Sequence, residues 1–150
     1  DPSTLVLFVL GNQGQPATLQ VADTRTGRAE IAATGIGRSI QRAPRGGVSY
    51  VARSAAADGQ PPFLTISELD PATRQTRALV RVPAGAGEAE TAWTPDGLLL
   101  ATVGGQLFSW RRGDPEMSAV AGFERLGLRS VTRLAISPKG DRMALVAPRP

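Results

Sequence analysis

A turn anchored by proline recurs along the chain and constrains the fold more than any other feature. The four anchors are 42, 51 and 43 residues apart, at Pro2, Pro44, Pro95 and Pro138. A short apolar run follows each anchor within a few residues, as residues 98–101 follow Pro95. Repeats of about 40 to 50 residues built from such short runs are typical of the blades of a β-propeller. The spacing therefore predicts a repeat fold.

Two further turn signals follow the anchors in the same order. The first is a glycine turn, at residues 11–14, 58–59 and 104–105. The second contains an aspartate, at residues 23–27, 70–74 and 112–115. Aspartate and glycine suit such turns, because the carboxylate accepts bonds from nearby amides and glycine adopts positive φ. The intervening runs are of strand length, so each repeat predicts four antiparallel strands.

Counting strands gives about 13, which makes two complete blades and two partial ones. We expect an all-β chain that forms one partial propeller domain, with blade segments at residues 1–37, 38–87, 88–127 and 128–150. Loops rich in glycine and alanine are expected at residues 34–37, 83–87 and 122–127. Each leads to an innermost strand, and these strands are expected at residues 39–43, 90–94 and 132–137. Since the end blades lack neighbours, either the chain continues into further blades or an oligomer completes the ring.

Composition excludes several kinds of chemistry. The chain contains no cysteine and no histidine, which rules out disulfides, thiolate nucleophiles, zinc sites of the usual ligand types and a Ser/His/Asp triad within it. Residues 37–41 approach a nucleophile elbow but lack its final glycine. We therefore predict no catalytic residue, no metal site and no cofactor, and expect the chain not to be an enzyme.

The charge pattern argues against nucleic-acid binding and membrane insertion. The net charge of +4 comes from 16 arginines and Lys139, which are interspersed with 13 carboxylates. Only 7 aromatic residues are present, without a cluster on which bases could stack. No apolar run approaches the length of about 18 residues that a membrane-spanning helix needs.

Three residues are candidates for binding. Glu88 and Glu90 are two apart, so on a strand they share one face, near the central channel of a propeller. The alternative interpretation is that Glu88 and Glu90 are solvated loop carboxylates with no binding role. Trp110 ends a third strand beside an arginine, where it is expected to be partly exposed and available to a partner. Trp93, by contrast, is expected to pack between blades.

Two segments resemble the blade signature of TolB-like propellers, approximately Ser-Trp-Ser-Pro-Asp-Gly followed by a hydrophobic strand. They are Ala92-Trp93-Thr94-Pro95-Asp96-Gly97 and the run from Ala135 to Val146. Residues 19–27 resemble the third strand of that family and its Thr-Gly turn. The second repeat departs from the signature, because residues 42–47 contain neither tryptophan nor aspartate. A closed propeller of this family has six blades, so the chain corresponds to about half of one.

The resemblance implies a non-catalytic module that binds a protein or a small ligand, in the periplasm or exported, with bacterial envelope scaffolding as its setting. Its partners would be another protein or the remaining blades of a longer chain. The alternative is the gating propeller of a larger prolyl-oligopeptidase-like hydrolase. In that case the chemistry lies outside these residues.

Overall fold

A computed structural model of the protein describes residues 3–54, 62–83 and 87–148. Within these residues, thirteen strands form four antiparallel sheets. The predicted anchor Pro2, the predicted turn at residues 58–59 and the middle of the predicted loop at residues 83–87 lie outside the described residues. No helix in the described ranges is long and apolar enough to cross a membrane.

The sheets follow the chain order. Sheet I consists of β1 (Thr4–Val9), β2 (Thr18–Asp23) and β3 (Arg28–Thr34). Sheet II consists of β4 (Ile36–Arg42), β5 (Val48–Arg53), β6 (Leu64–Leu69) and β7 (Thr76–Arg81). Sheet III consists of β8 (Ala89–Trp93), β9 (Leu99–Val103), β10 (Gln106–Trp110) and β11 (Ser118–Gly122). Sheet IV consists of β12 (Arg133–Ile136) and β13 (Met143–Val146). Two complete blades and two partial ones confirm the predicted all-β propeller fold.

The first strands of sheets II, III and IV lie side by side at the inner end of the sheets. β8 contacts both β4 and β12. The Thr91 amide on β8 donates to the Ser39 hydroxyl on β4 at 2.8 Å, and the two hydroxyl oxygens are 2.9 Å apart. Both side chains are buried. These three strands are therefore the innermost ones.

The proline-anchored turns have the same geometry in all three described copies. The glycine two residues after the proline has positive φ in each, with values of 92° at Gly46, 86° at Gly97 and 75° at Gly140. Its amide donates to the carbonyl three residues earlier, for example from Gly97 to Thr94 at 3.0 Å. Glycine reaches this left-handed conformation at little cost. The second copy, which lacks the tryptophan and the aspartate, is thus a genuine repeat.

The aspartates of the second turn in each repeat act as turn formers, as expected. Asp23 accepts from the amide of Arg25, and Asp70 from that of Ala72, both at 2.8 Å. Asp114 accepts from the Arg111 amide at the same distance. A carboxylate that holds nearby amides in this way stabilises the tight connection between neighbouring strands.

The hydrophobic core lies between the sheets. One cluster joins sheets I and II around Leu19 and Leu69, a second joins sheets II and III around Ile66 and Leu99, and a third joins sheets III and IV around Leu107. The first four of these side chains are 0% exposed. Each sheet thus completes the core of its neighbour, as expected for propeller blades.

β3, β7 and β11, which are the outermost strands of sheets I, II and III, each contain a β-bulge. The register shifts after Leu19 in sheet I, after Ile66 in sheet II and after Leu107 in sheet III. One residue of the outermost strand is left without a direct partner in each case: Ala32, Leu79 and Val120. A bulge of this kind bends the strand and increases its twist.

The innermost strand β4 is longer than predicted and irregular. It begins at Ile36 rather than at Ser39, so the loop expected at residues 34–37 shrinks to Gly35, which has φ 67°. Ile36 pairs with Ala52 and Ile40 with Tyr50, so four steps along β4 match two along β5. Residues 37–39 therefore bulge from the ladder. The predicted loop at residues 122–127 contains a short 3-10 helix, Glu124–Leu126.

Candidate functional site

Glu90 is a buried carboxyl group on the innermost strand of sheet III. The residue is 7% exposed. Arg133 Nη1, on the neighbouring strand β12, donates to Glu90 Oε1 at 3.4 Å. Burial raises the pKa of Glu90, Arg133 and Arg38 lower it, and the negative charge of Glu88 raises it, with a net increase above the ordinary value. One acidic group thus lies among arginines from both adjacent innermost strands.

Glu88 lies just outside the innermost strand, at the edge of which the two glutamates were predicted to share one face. β8 begins at Ala89, one residue later, and Glu88 is exposed. Glu88 lines a groove with Gly35, Arg53 and Ala89. Its charge nevertheless raises the pKa of Glu90. The two carboxylates are therefore neighbours electrostatically, with one exposed and the other buried.

A buried hydroxyl group accompanies Glu90. Thr102 on β9 pairs directly with Glu90 in the ladder and is 1% exposed. Its Oγ1 has no hydrogen-bond partner among the described residues. Such groups are usually satisfied, since burying an unbonded hydroxyl costs about 1–3 kcal/mol. No group of three or more acidic residues with metal-binding geometry occurs in residues 3–54, 62–83 and 87–148.

Trp110 is buried, so the expectation of partial exposure is wrong. Its side chain belongs to the core between sheets II and III, and the residue is 4% exposed. The indole Nε1 donates to the Asp114 carbonyl at 2.9 Å. The ring packs edge to face against Trp93 with 6.4 Å between centroids. β10 ends with this side chain turned into the interface between the sheets.

Trp93 joins sheets II and III, as expected for the signature tryptophan of a blade. Its indole Nε1 donates to the Ser49 hydroxyl on β5 at 2.8 Å. The Arg112 guanidinium lies over the ring, 5.6 Å from its centroid. Ser49 is fully buried, so this hydrogen bond satisfies a polar group that would otherwise be costly in the core.

A buried carboxylate missed by the sequence reasoning lies beside Trp93. Glu68 on β6 is 6% exposed. Arg112 of sheet III donates to Glu68 Oε1 at 2.6 Å, and Arg77 of sheet II donates to Oε2 at 2.7 Å. Burial raises the pKa of Glu68, but the hydrogen bonds from Arg112 and Arg77 lower it to below its ordinary value. The sequence gives no signal for this cluster, because Arg112 is 44 residues away along the chain.

Glu90→Gln tests the raised pKa of the buried carboxyl group. Because its folded-state pKa lies above the ordinary value of 4.5, ionising Glu90 destabilises the folded state as pH rises through that pKa. Glutamine removes this dependence. We expect the unfolding free energy of the parent, relative to Glu90→Gln, to be lower at pH 7 than at pH 4 in urea titrations. If the unfolding free energy of the parent, relative to Glu90→Gln, is independent of pH or increases toward pH 7, the assignment of a raised pKa is contradicted. The control is Glu116→Gln, at an exposed position.

Comparison with known proteins supports the fold. No protein-family model and no curated protein sequence matches the chain. Among solved structures, the chain is similar to the crystal structure of TolB from Acinetobacter baumannii, with a TM-score of 0.65 and 20% sequence identity. The similarity covers 97% of this chain and 35% of the TolB chain, so this chain spans about a third of the length of that protein. The chain has the fold of part of a TolB-like β-propeller.

Proposed function

We propose that this chain is a non-catalytic propeller module that binds a protein or a small ligand at the inner end of its sheets. The TolB-like fold supports a module of this type. The proposed setting is the bacterial cell envelope, in the periplasm or exported, which is the setting implied by the resemblance to TolB-like propellers. The proposed binding residues are Glu88 and Glu90.

The observation that carries the proposal is the environment of Glu90. Glu90 is mostly removed from water and its pKa is raised, and titratable groups with perturbed pKa values cluster at functional sites. Arg133 contacts it at the long distance of 3.4 Å. The Thr102 hydroxyl opposite is unbonded within the described residues. These polar groups lie close together but form few strong hydrogen bonds with one another. They can therefore bond to a ligand without first breaking strong hydrogen bonds within the protein.

Affinity enrichment from a cell-envelope extract tests this proposal. The immobilised chain is compared with Glu88→Ala/Glu90→Ala, and bound proteins are quantified by mass spectrometry. We expect the recovered amount of each specifically enriched protein to be about tenfold lower with the double variant than with the parent. A tenfold change corresponds to about 1.4 kcal/mol of binding free energy. The matched control is Glu116→Ala/Glu124→Ala, which removes two exposed carboxylates. Equal recovery by parent, variant and control would remove Glu88 and Glu90 from consideration as a protein-binding site.

A further inference from the structure

A polar cavity lies on sheet II, between its proline-anchored turn and the turn that joins β6 to β7. Its volume is about 440 Å³, which is within the range of small-ligand sites. The residues that line it include Arg45 and Gly47 from the first turn, Asp70 and Gln75 from the second, and Arg77 on β7. Sheet II has all four strands and packs against a described sheet on each side. The cavity therefore belongs to a complete blade.

The second repeat differs from the others at the place where this cavity lies. Gly47, three residues after the anchor proline, occupies the position of Leu98 in the third repeat and of Asp141 in the fourth. A Cβ atom on Gly47 would lie 2.8 Å from both Cγ and Oε1 of Glu68. A side chain at this position would therefore require Glu68 to move. The glycine leaves the space above the buried carboxylate open in this repeat.

The same repeat places charged side chains on the strands beside the cavity. Glu68 on β6 pairs directly with Arg77 on β7. The pair at the same distance from the anchor turn in sheet III consists of two small hydroxyl side chains, Ser109 and Ser118. The anchor turn of sheet III forms without a charged pair beside it, so the turn itself does not require one. A glycine that opens the space and an ion pair that lines it thus occur together in one repeat.

The cavity contains more unused hydrogen-bond donors than acceptors. Both oxygens of Glu68 accept from guanidinium groups, and Asp70 Oδ1 accepts from two amides of its own turn. Arg77 donates through Nε and Nη2, so its Nη1 has no partner among the described residues. The side chains of Arg45 and Gln75 form no hydrogen bond or salt bridge with any residue in those ranges, and Arg45 is exposed.

The charges around the cavity favour an anion. Three arginines, which are Arg45, Arg77 and Arg112, lie around two carboxylates, those of Glu68 and Asp70. One positive charge is therefore left without a negative counterpart. Guanidinium groups match the oxygens of carboxylates and phosphates, which accept two parallel hydrogen bonds from the same planar fork.

We propose that this cavity of sheet II binds an oxyanion group, a carboxylate or a phosphate, of a small ligand. The Arg45 guanidinium and Arg77 Nη1 donate to the oxyanion, and the Gln75 carboxamide donates a further hydrogen bond. Glu68 holds the Arg77 side chain in position. None of the residues whose charges act on Glu90 lines this cavity. The cavity is thus separate from the site at the inner end of the sheets, and each proposal can fail without the other.

Amide chemical shifts of the full chain, measured by NMR during titration, test this proposal. Citrate and inorganic phosphate are titrated separately at neutral pH and low ionic strength. We expect saturable shifts at residues 45–47 and 73–77, with the Kd raised about fivefold by Arg45→Ala, the size of an exposed charge contact. Arg45→Lys keeps the charge but loses the planar fork, so its effect should be intermediate. The anion that binds more tightly identifies the oxyanion as a carboxylate or as a phosphate.

The matched control is Arg125→Ala, which removes an exposed arginine elsewhere and gives the same net charge as Arg45→Ala. Its Kd should equal that of the parent. Arg45 has no partner among the described residues, so its replacement should leave the fold intact, and thermal unfolding of each variant verifies this. Absence of saturable shifts at residues 45–47 and 73–77 with both anions would overturn the proposal. Equal Kd values for the parent and Arg45→Ala, or equally tight binding of the neutral sugar glucose, would overturn it as well.

Discussion

Replacing Trp110 by alanine is expected to lower the free energy of unfolding by about 3–5 kcal/mol, the range for loss of a large aromatic side chain from a core. The residue is 4% exposed and packs in the largest cluster between sheets II and III. The substitution also removes the edge-to-face contact with Trp93 and the hydrogen bond to the Asp114 carbonyl. Trp110→Phe keeps most of the apolar contact and should cost about 1–2 kcal/mol.

Guanidinium denaturation followed by circular dichroism measures these losses. Leu126→Ala is the matched control, because that side chain is 71% exposed and its removal should change stability by less than about 0.5 kcal/mol. The two interpretations of Trp110 make opposite predictions. A Trp110→Ala chain that is as stable as the parent but has lost a binding partner would contradict a packing role and restore the surface role inferred from sequence.

Glu68→Gln is expected to lower the unfolding free energy at pH 7 by about 1.5–3 kcal/mol, the range for hydrogen bonds to charged groups. The carboxylate accepts from Arg112 and Arg77 while being almost fully buried. Glutamine has nearly the same shape, but its amide nitrogen cannot accept from a guanidinium. Arg112, whose side chain is only 20% exposed, would then lose the negative charge that pairs with it between sheets II and III.

The effect of Glu68 should depend on pH in the opposite sense to that of Glu90. Its folded-state pKa lies below the ordinary value of 4.5, so its stabilising contribution is complete above about pH 4.5 and is lost as pH falls through the folded-state pKa. The difference between parent and Glu68→Gln should therefore shrink in acid. The pKa values of Asp23, Asp70 and Asp96 are lowered as well, and comparison with Glu68→Gln isolates the buried group. A difference independent of pH would contradict the assignment.

The repeat and its strands were predictable because they depend on local chemistry. Proline and glycine at fixed spacing specify the turns, so the glycines after Pro44, Pro95 and Pro138 all adopt the expected conformation. Strands between such turns need only short apolar runs. Even the second copy, supported mainly by spacing, has the same hydrogen bond from Gly46 to Ala43.

The features that sequence reasoning missed depend on contacts between sheets. β4 is longer than expected because it includes the bulge between Ile36 and Ile40, and the glycines on either side of Ile36 favour a loop when read from sequence alone. Sequence predicts partial exposure for Trp110, because it ends its strand beside an arginine, yet its side chain is directed into the core. Glu68 has the appearance of an exposed strand residue until Arg112, from the next sheet, is placed beside it. Long-range electrostatic partners have no local signature.

The bulges in the outermost strands affect how copies of this protein can associate. Strands stack edge to edge into aggregates most readily when the exposed edge is flat and regular, and a bulge disrupts such templating. β3, β7 and β11 each contain a bulge, so the outer edges of the three sheets are poor templates for pairing with the edge of another copy. Within the described residues, the periphery of the blades thus discourages the recruitment of further strands.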